Sequence, residues 1–230
     1  MDAEEQNRQG CFKDLGGYVV MAPEGIAIDE TSILRIQGYR DLERIRPAIK
    51  RAAMASARET EELICPRAYY RILNVDSCEG SSLELEDGTV FENEAFQRFL
   101  KKPKSVVAFV STMGHALDQA VVEYIADDQL LNALFLETAG WLGIEAATRT
   151  LSIHLRSQAR ERGLRLSPRL GPGYSYKLDG RSVLWPLEQQ QTLFKLFANA
   201  PMDVELLESC AMLPKISRSG IYGFLEIPRA

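Results

Sequence analysis

The longest stretch without polar interruption is Val106-Val107-Ala108-Phe109-Val110, preceded by Ser105, and it predicts a strand in the middle of a sheet. It runs into Thr112-Met113-Gly114 and then a helix from about His115 to Ala126. Asp127-Asp128 is expected to cap a long helical pattern reaching Arg160, with Gly140 and Gly143 as places to bend. Unbroken, this helix would span roughly 45–50 Å. Upstream, Asp29 caps a helix that ends at Gly38, and a second helix covers Leu42 to Glu62 with Pro47 in its first turns. Arg71 to Val75 and Ser82 to Leu85 read as strands, and Asp87-Gly88 turns the chain back into Thr89-Val90-Phe91. Asn93 caps a short helix through Leu100, before the basic Lys101-Lys102-Pro103-Lys104. A helix with scaffold character follows Trp185-Pro186, and Val204 to Ser209 is the last predicted strand.

These elements do not alternate in a β-α-β rhythm, so the fold class is α+β. Residues 1–24 are polar, carry Gly16-Gly17 and Pro23, and read as a loose leader. Residues 25–104 form a helical and hairpin part, continuous with 105–230 as one domain. The chain has 230 residues, 46% hydrophobic and 26% charged, which suffices for a sizeable core. A net charge of −5 and a pI near 5.3 argue against nucleic-acid binding. No apolar run approaches the roughly 18–20 residues that span a bilayer, so no membrane association is expected. Cys11, Cys65, Cys78 and Cys210 stand apart and read as reduced thiols of a cytoplasmic protein. With two histidines, His115 and His154, no metal site is expected.

Three features could carry chemistry. On a helix, Leu131, Leu134, Thr138 and Trp141 fall within about 40° of Glu145. A carboxylate on that mainly apolar stripe must be paired, partly exposed in a cleft, or bound to a cation; Arg149, one turn on, is an available partner. Arg169-Leu170-Gly171-Pro172-Gly173-Tyr174 places a fixed turn between an arginine suited to a carboxylate and a tyrosine suited to a cationic or heteroaromatic group. Alone, Gly171-Pro172-Gly173 is only a turn. Finally, Glu208 to Lys215 leads into a small-residue turn, Ser219-Gly220-Ile221, that presents Tyr222 either to a site or to the core. A hydrolase is disfavoured, because no serine or cysteine sits in a nucleophile elbow and neither histidine has a nucleophile–acid context.

Taken in order, these pieces resemble the S-adenosylmethionine-binding reactivation domain of cobalamin-dependent methionine synthase, as a free-standing chain. The resemblance rests on Arg-x-x-Pro-Gly-Tyr at Arg169 to Tyr174 and Trp-Pro-Leu-x-x-Gln at Trp185 to Gln190. Glu208-Ser209-x-x-Met212-x-Pro214 and Ser219-Gly220-x-Tyr222 add to it. It runs from about Ser105 to Leu225. It implies a C-shaped α+β domain with a central, mainly antiparallel twisted sheet packed by long helices.

The resemblance also implies S-adenosylmethionine as ligand, with Arg169 on its carboxylate, Tyr174 near the sulfonium and the backbone of Gly171, Pro172 and Gly173 against the nucleoside. Glu145 would face the ammonium or sulfonium, and Tyr222 would close the site. The family also uses an N-terminal aspartate, for which this chain offers no placed counterpart, and Ser175 to Val183 is longer than the usual connection. No Asp-x-His-x-x-Gly is present, so cobalamin would arrive on a partner corrinoid methyltransferase, with a flavodoxin- or ferredoxin-like electron donor. The chain itself would hold no catalytic residue. The alternative is a docking or assembly module for a corrinoid protein that keeps the fold without the ligand.

Overall fold

The computed structural model describes residues 11–14 and 17–228. Its centre is an antiparallel sheet in the order β1-β2-β3-β6-β12-β7. These strands are β1 (Cys11–Asp14), β2 (Val19–Ala22), β3 (Arg67–Glu79), β6 (Pro103–Thr112), β7 (Leu164–Leu166) and β12 (Ser217–Glu226). The far end of β3 continues into β4 (Ser82–Leu85) and β5 (Val90–Glu92). Two short hairpins stand apart, β8 (Ser175–Leu178) with β9 (Arg181–Leu184), and β10 (Glu205–Leu206) with β11 (Met212–Leu213). With six helices, among the described residues, the architecture is α+β as expected: α1 (Glu30–Ile36), α2 (Pro47–Leu63), α3 (Phe96–Phe99), α4 (His115–Ala126), α5 (Leu130–Glu161) and α6 (Gln189–Lys195). No described helix is long and apolar enough to cross a membrane.

The predicted central strand is β6, hydrogen-bonded to β3 on one side and β12 on the other and buried from Ser105 onward. Side chains alternate across it. Val106, Ala108 and Val110 join Tyr69, Leu73, Ile221, Phe91, Phe96 and Trp185 on one face. Val107 and Phe109 join Tyr70, Tyr222 and Phe224 on the other, under Leu151, Leu155 and Ala159 of α5. The N-terminal half of α5 leaves the sheet, and its Phe135 and Ala139 pack on α1 and α2.

Several expectations need correction. Residues 1–10, 15 and 16 of the expected leader lie outside the described residues, but Cys11–Asp14 and Val19–Ala22 are strands of the main sheet. The second helix begins at Pro47, five residues late, because proline favours the first helical position. Asp127 and Asp128 do not cap α5. Asp127 ends α4, Asp128 takes φ 57°, and Gln129 starts α5 without a side-chain cap bond. α5 is one helix of 32 residues. Gly140 and Gly143 serve close packing in it: a Cβ at Gly140 would strike Leu117, and one at Gly143 would lie 2.9 Å from Met113 Cε. Val204 to Ser209 supplies only the two residues of β10, and the last long strand is β12. The expected Ser219-Gly220-Ile221-Tyr222 turn is therefore the interior of that strand.

Candidate functional site

Three segments distant in sequence meet where β12 passes under α5. Leu170 forms a two-way bridge with Ile221, its N–H donating to the Ile221 carbonyl at 3.0 Å and its own carbonyl accepting from Ile221 at 2.7 Å. That bridge lays the Arg169–Tyr174 segment along β12. The approach is close because both chains carry glycine there. A Cβ at Gly171 would lie 3.0 Å from the Ser219 carbonyl oxygen, and one at Gly220 would run into the Leu170 carbonyl.

The turn is held from behind. Tyr174 N–H donates to Gly171 O at 3.3 Å, Gly173 N–H donates to Trp185 O at 2.8 Å, and Trp185 N–H donates to Tyr174 O at 2.9 Å. The long Ser175–Val183 connection is the β8–β9 hairpin, and its Tyr176 hydroxyl accepts from Gly171 N–H at 2.6 Å. The amides of Gly171 and Gly173 are thus both engaged within the chain. Trp185 is fully buried, with Phe91 and Phe96 edge-on to its ring at 5.8 and 5.1 Å. Buried Gln190 donates to Cys210 O at 3.0 Å and accepts from the Ser219 hydroxyl at 2.9 Å. The Trp185–Gln190 stretch therefore binds the turn to β12.

The structure brings together Glu145, Arg169, Tyr174 and Tyr222. Arg169 lies over the Tyr174 ring, 5.6 Å from its centroid. Tyr174 is 43% exposed, while Pro172 and Gly171 are buried beneath it. Tyr222 is 4% exposed and stacks on Phe109 at 5.3 Å, so its ring belongs to the core. Burial raises the affinity of its hydroxyl for the proton, partly offset by the charges of Arg169, Arg156 and Arg218.

Glu145 is ion-paired, but with Arg218 of β12 and not with Arg149 one turn away. Of its mainly apolar stripe, Leu131, Leu134 and Trp141 face outward, each at least 40% exposed, while Thr138 is buried. Burial is the largest single influence on its carboxyl and raises its pKa. The Arg218 hydrogen bond and the charges of Arg218, Arg169 and Arg149 outweigh that and hold it below the usual value. Arg218 itself is the residue that sequence reasoning missed. Its side chain is only 10% exposed, and its buried Nε has no hydrogen-bond partner. Helical spacing points from Glu145 to Arg149; nothing in a linear pattern points 73 residues ahead across the sheet.

The remaining candidates lie elsewhere. His115 is an exposed helix-start residue, and His154 on α5 meets the Tyr70 hydroxyl at 3.0 Å and Gln158 at 2.9 Å. Cys65, Cys78 and Cys210 are free thiols, and the Cys11 side chain lies outside the described residues.

This fold is that of the methionine synthase reactivation domains: an α+β domain with a mainly antiparallel sheet. In particular, the chain is similar to a solved structure of the MetH reactivation domain bound to AdoHcy (S-adenosylhomocysteine), with a TM-score of 0.65 and 16% sequence identity. The likeness covers 100% of this chain and 84% of that one. No family model and no curated protein matches the chain.

Proposed function

We propose that this chain is a relative of the methionine synthase reactivation domain that binds S-adenosylmethionine at the Glu145–Arg169–Tyr174–Tyr222 cluster. In this role it supports reductive methylation of oxidised cobalamin on a partner corrinoid methyltransferase such as a methionine synthase core. A flavodoxin- or ferredoxin-like protein would supply the electron. The observation that carries the reading is the convergence of these four residues from α5, the Gly-Pro-Gly turn and β12, on a fold similar to that of a domain solved with AdoHcy.

The side chains suit the ligand. Arg169 offers a planar fork of donors to an amino-acid carboxylate. Tyr174 offers a half-open ring face, and Glu145 offers a half-exposed negative charge to the ammonium or sulfonium. S-adenosylmethionine would supply the methyl group from its sulfonium; this chain's part is to hold and orient it. Isothermal titration calorimetry tests the reading. Wild-type protein is expected to bind S-adenosylmethionine or AdoHcy, and Arg169→Ala to lose about tenfold to a hundredfold, the worth of a charged hydrogen-bonded pair.

A second reading is a docking or assembly module for a corrinoid protein that keeps the fold without the ligand. Glu145 is already paired with Arg218, and the Gly171 and Gly173 amides are already used, which favours it. Retention of a corrinoid methyltransferase in a pull-down, with no heat from either ligand, would select it.

A further inference from the structure

Four arginines gather along the site: Arg218, Arg169 and Arg149 act on the Glu145 carboxylate, and Arg156 on the Tyr222 hydroxyl. Arg218 holds Glu145 directly, and Arg149 lies one helical turn beyond it on α5. Arg169 rests on Tyr174 across from them. Arg156 continues the α5 line two turns past Arg149 and acts on the Tyr222 hydroxyl together with Arg169 and Arg218. On β12, Arg218, Gly220 and Tyr222 share one face, because strand side chains alternate. That face is the one packed under α5, as Tyr222 with Leu151 and Leu155 shows. Among the described residues, Arg218–Glu145 is the one ion pair in this group.

The two ligands differ by one charge. Both carry a carboxylate and an ammonium, and S-adenosylmethionine adds a sulfonium that S-adenosylhomocysteine lacks. With Arg169 on the carboxylate, the Glu145 charge is the counter-charge left for the cationic end of the ligand. Arg218 already shares that charge, Arg149 acts on the same carboxylate, and Arg149 and Arg156 form no ion pair of their own among the described residues, so the group carries an excess of positive charge. An arginine cannot relieve this by losing its proton. Arg218 is also too buried to be neutralised by solvent, and Glu145 is its partner in the fold.

Resting on the ligand reading above, we propose that Arg218 sets the charge preference of this site, so that it holds the neutral thioether S-adenosylhomocysteine more tightly than the cationic sulfonium S-adenosylmethionine. A carboxylate alone at position 145 would reverse that order. The site therefore responds to the ratio of spent to fresh methyl donor and is emptied for methyl transfer only when the donor is in excess.

Calorimetric titration of the full chain with each ligand, at low and high sodium chloride, tests this. The wild type is expected to bind S-adenosylhomocysteine about tenfold more tightly, from one unit charge several ångströms from another at the protein surface. Salt should shrink the difference. Arg218→Gln should bring the two affinities together by tightening S-adenosylmethionine, and Arg218→Lys should keep the preference. Arg149→Gln changes an exposed residue and should move the preference part of the way, so it decides the matter if Arg218→Gln does not fold. Equal or tighter binding of S-adenosylmethionine by the wild type would overturn the proposal, as would an unchanged preference in folded Arg218→Gln and Arg149→Gln. In either case both ligands still bind and the ligand reading stands. Absence of binding by either ligand would overturn both.

Discussion

Replacing Gly220 with alanine tests whether the close approach of β12 to the Arg169–Tyr174 segment is what builds the site. The added methyl would run into the Leu170 carbonyl oxygen and come within 3.1 Å of Phe109 Cε1. The ring can shift, but the carbonyl cannot move freely, because it accepts from Ile221 N–H at 2.7 Å. Overpacking costs about 1–3 kcal/mol, and weakening the two Leu170–Ile221 hydrogen bonds adds about 1 kcal/mol each. Reduced freedom of the unfolded chain returns about 0.4–1 kcal/mol, leaving a loss of about 3 kcal/mol. For a chain this long that is a fall in Tm of roughly 6–12 °C.

Gly223→Ala on the same strand is the control. Its methyl would meet Leu100 and Leu225 Cδ2 atoms at 2.8 and 3.0 Å, ends of side chains that can rotate away, and should cost about 1 kcal/mol. Urea unfolding followed by circular dichroism measures both. A Gly220→Ala protein within about 0.5 kcal/mol of wild type, or no less stable than Gly223→Ala, would refute the reasoning.

Two further outcomes are expected. Trp185→Ala removes the ring between Phe91 and Phe96 and should destabilise the chain by about 3–5 kcal/mol in the same urea assay, with weaker ligand binding because the cavity left behind loosens the segment whose backbone holds Gly173 and Tyr174. Glu145→Gln should narrow the acid sensitivity of the fold. The Glu145 carboxyl sits below its ordinary value of 4.5 when folded, so its contribution is present above that pH and is lost as pH falls through the lower folded value. The difference in urea midpoint between wild type and Glu145→Gln, present at neutral pH, should vanish under strong acid; a difference that persists there would contradict the ion pair.

The parts of the fold that could be read from the sequence are those with a single dominant period. β6 is an apolar run because both its faces are covered, and the sequence pattern of α4 runs between its observed ends, His115 and Ala126. β12 is just as buried, but it satisfies its environment differently. Gly220 and Gly223 make room for Leu170 and Leu100, and Ser217 and Ser219 bond to Thr112 and Gln190. Small polar residues of that kind imitate a turn, so the sequence pattern predicts one. The start of α5 differs from its sequence expectation for a related reason: Asp127 and Asp128 have cap chemistry, but they close the preceding helix.

The site shows the same division. Short motifs and helical geometry single out Arg169, Tyr174, Glu145 and Tyr222, which lie near one another in the fold. Arg218, which changes the charge of the whole group, sits in a strand that no periodicity announced. Pairing across a sheet depends on register, and register is set by the complete fold.

A crystal structure of the chain grown with S-adenosylhomocysteine is the most direct test of the ligand site. The ligand is expected with its carboxylate on Arg169, its sulfur end toward Glu145 and Tyr222, and its nucleoside along Gly171–Tyr174. A ligand bound elsewhere, or a fully formed Arg169–Tyr174 cluster with none bound at saturating concentration, would contradict it.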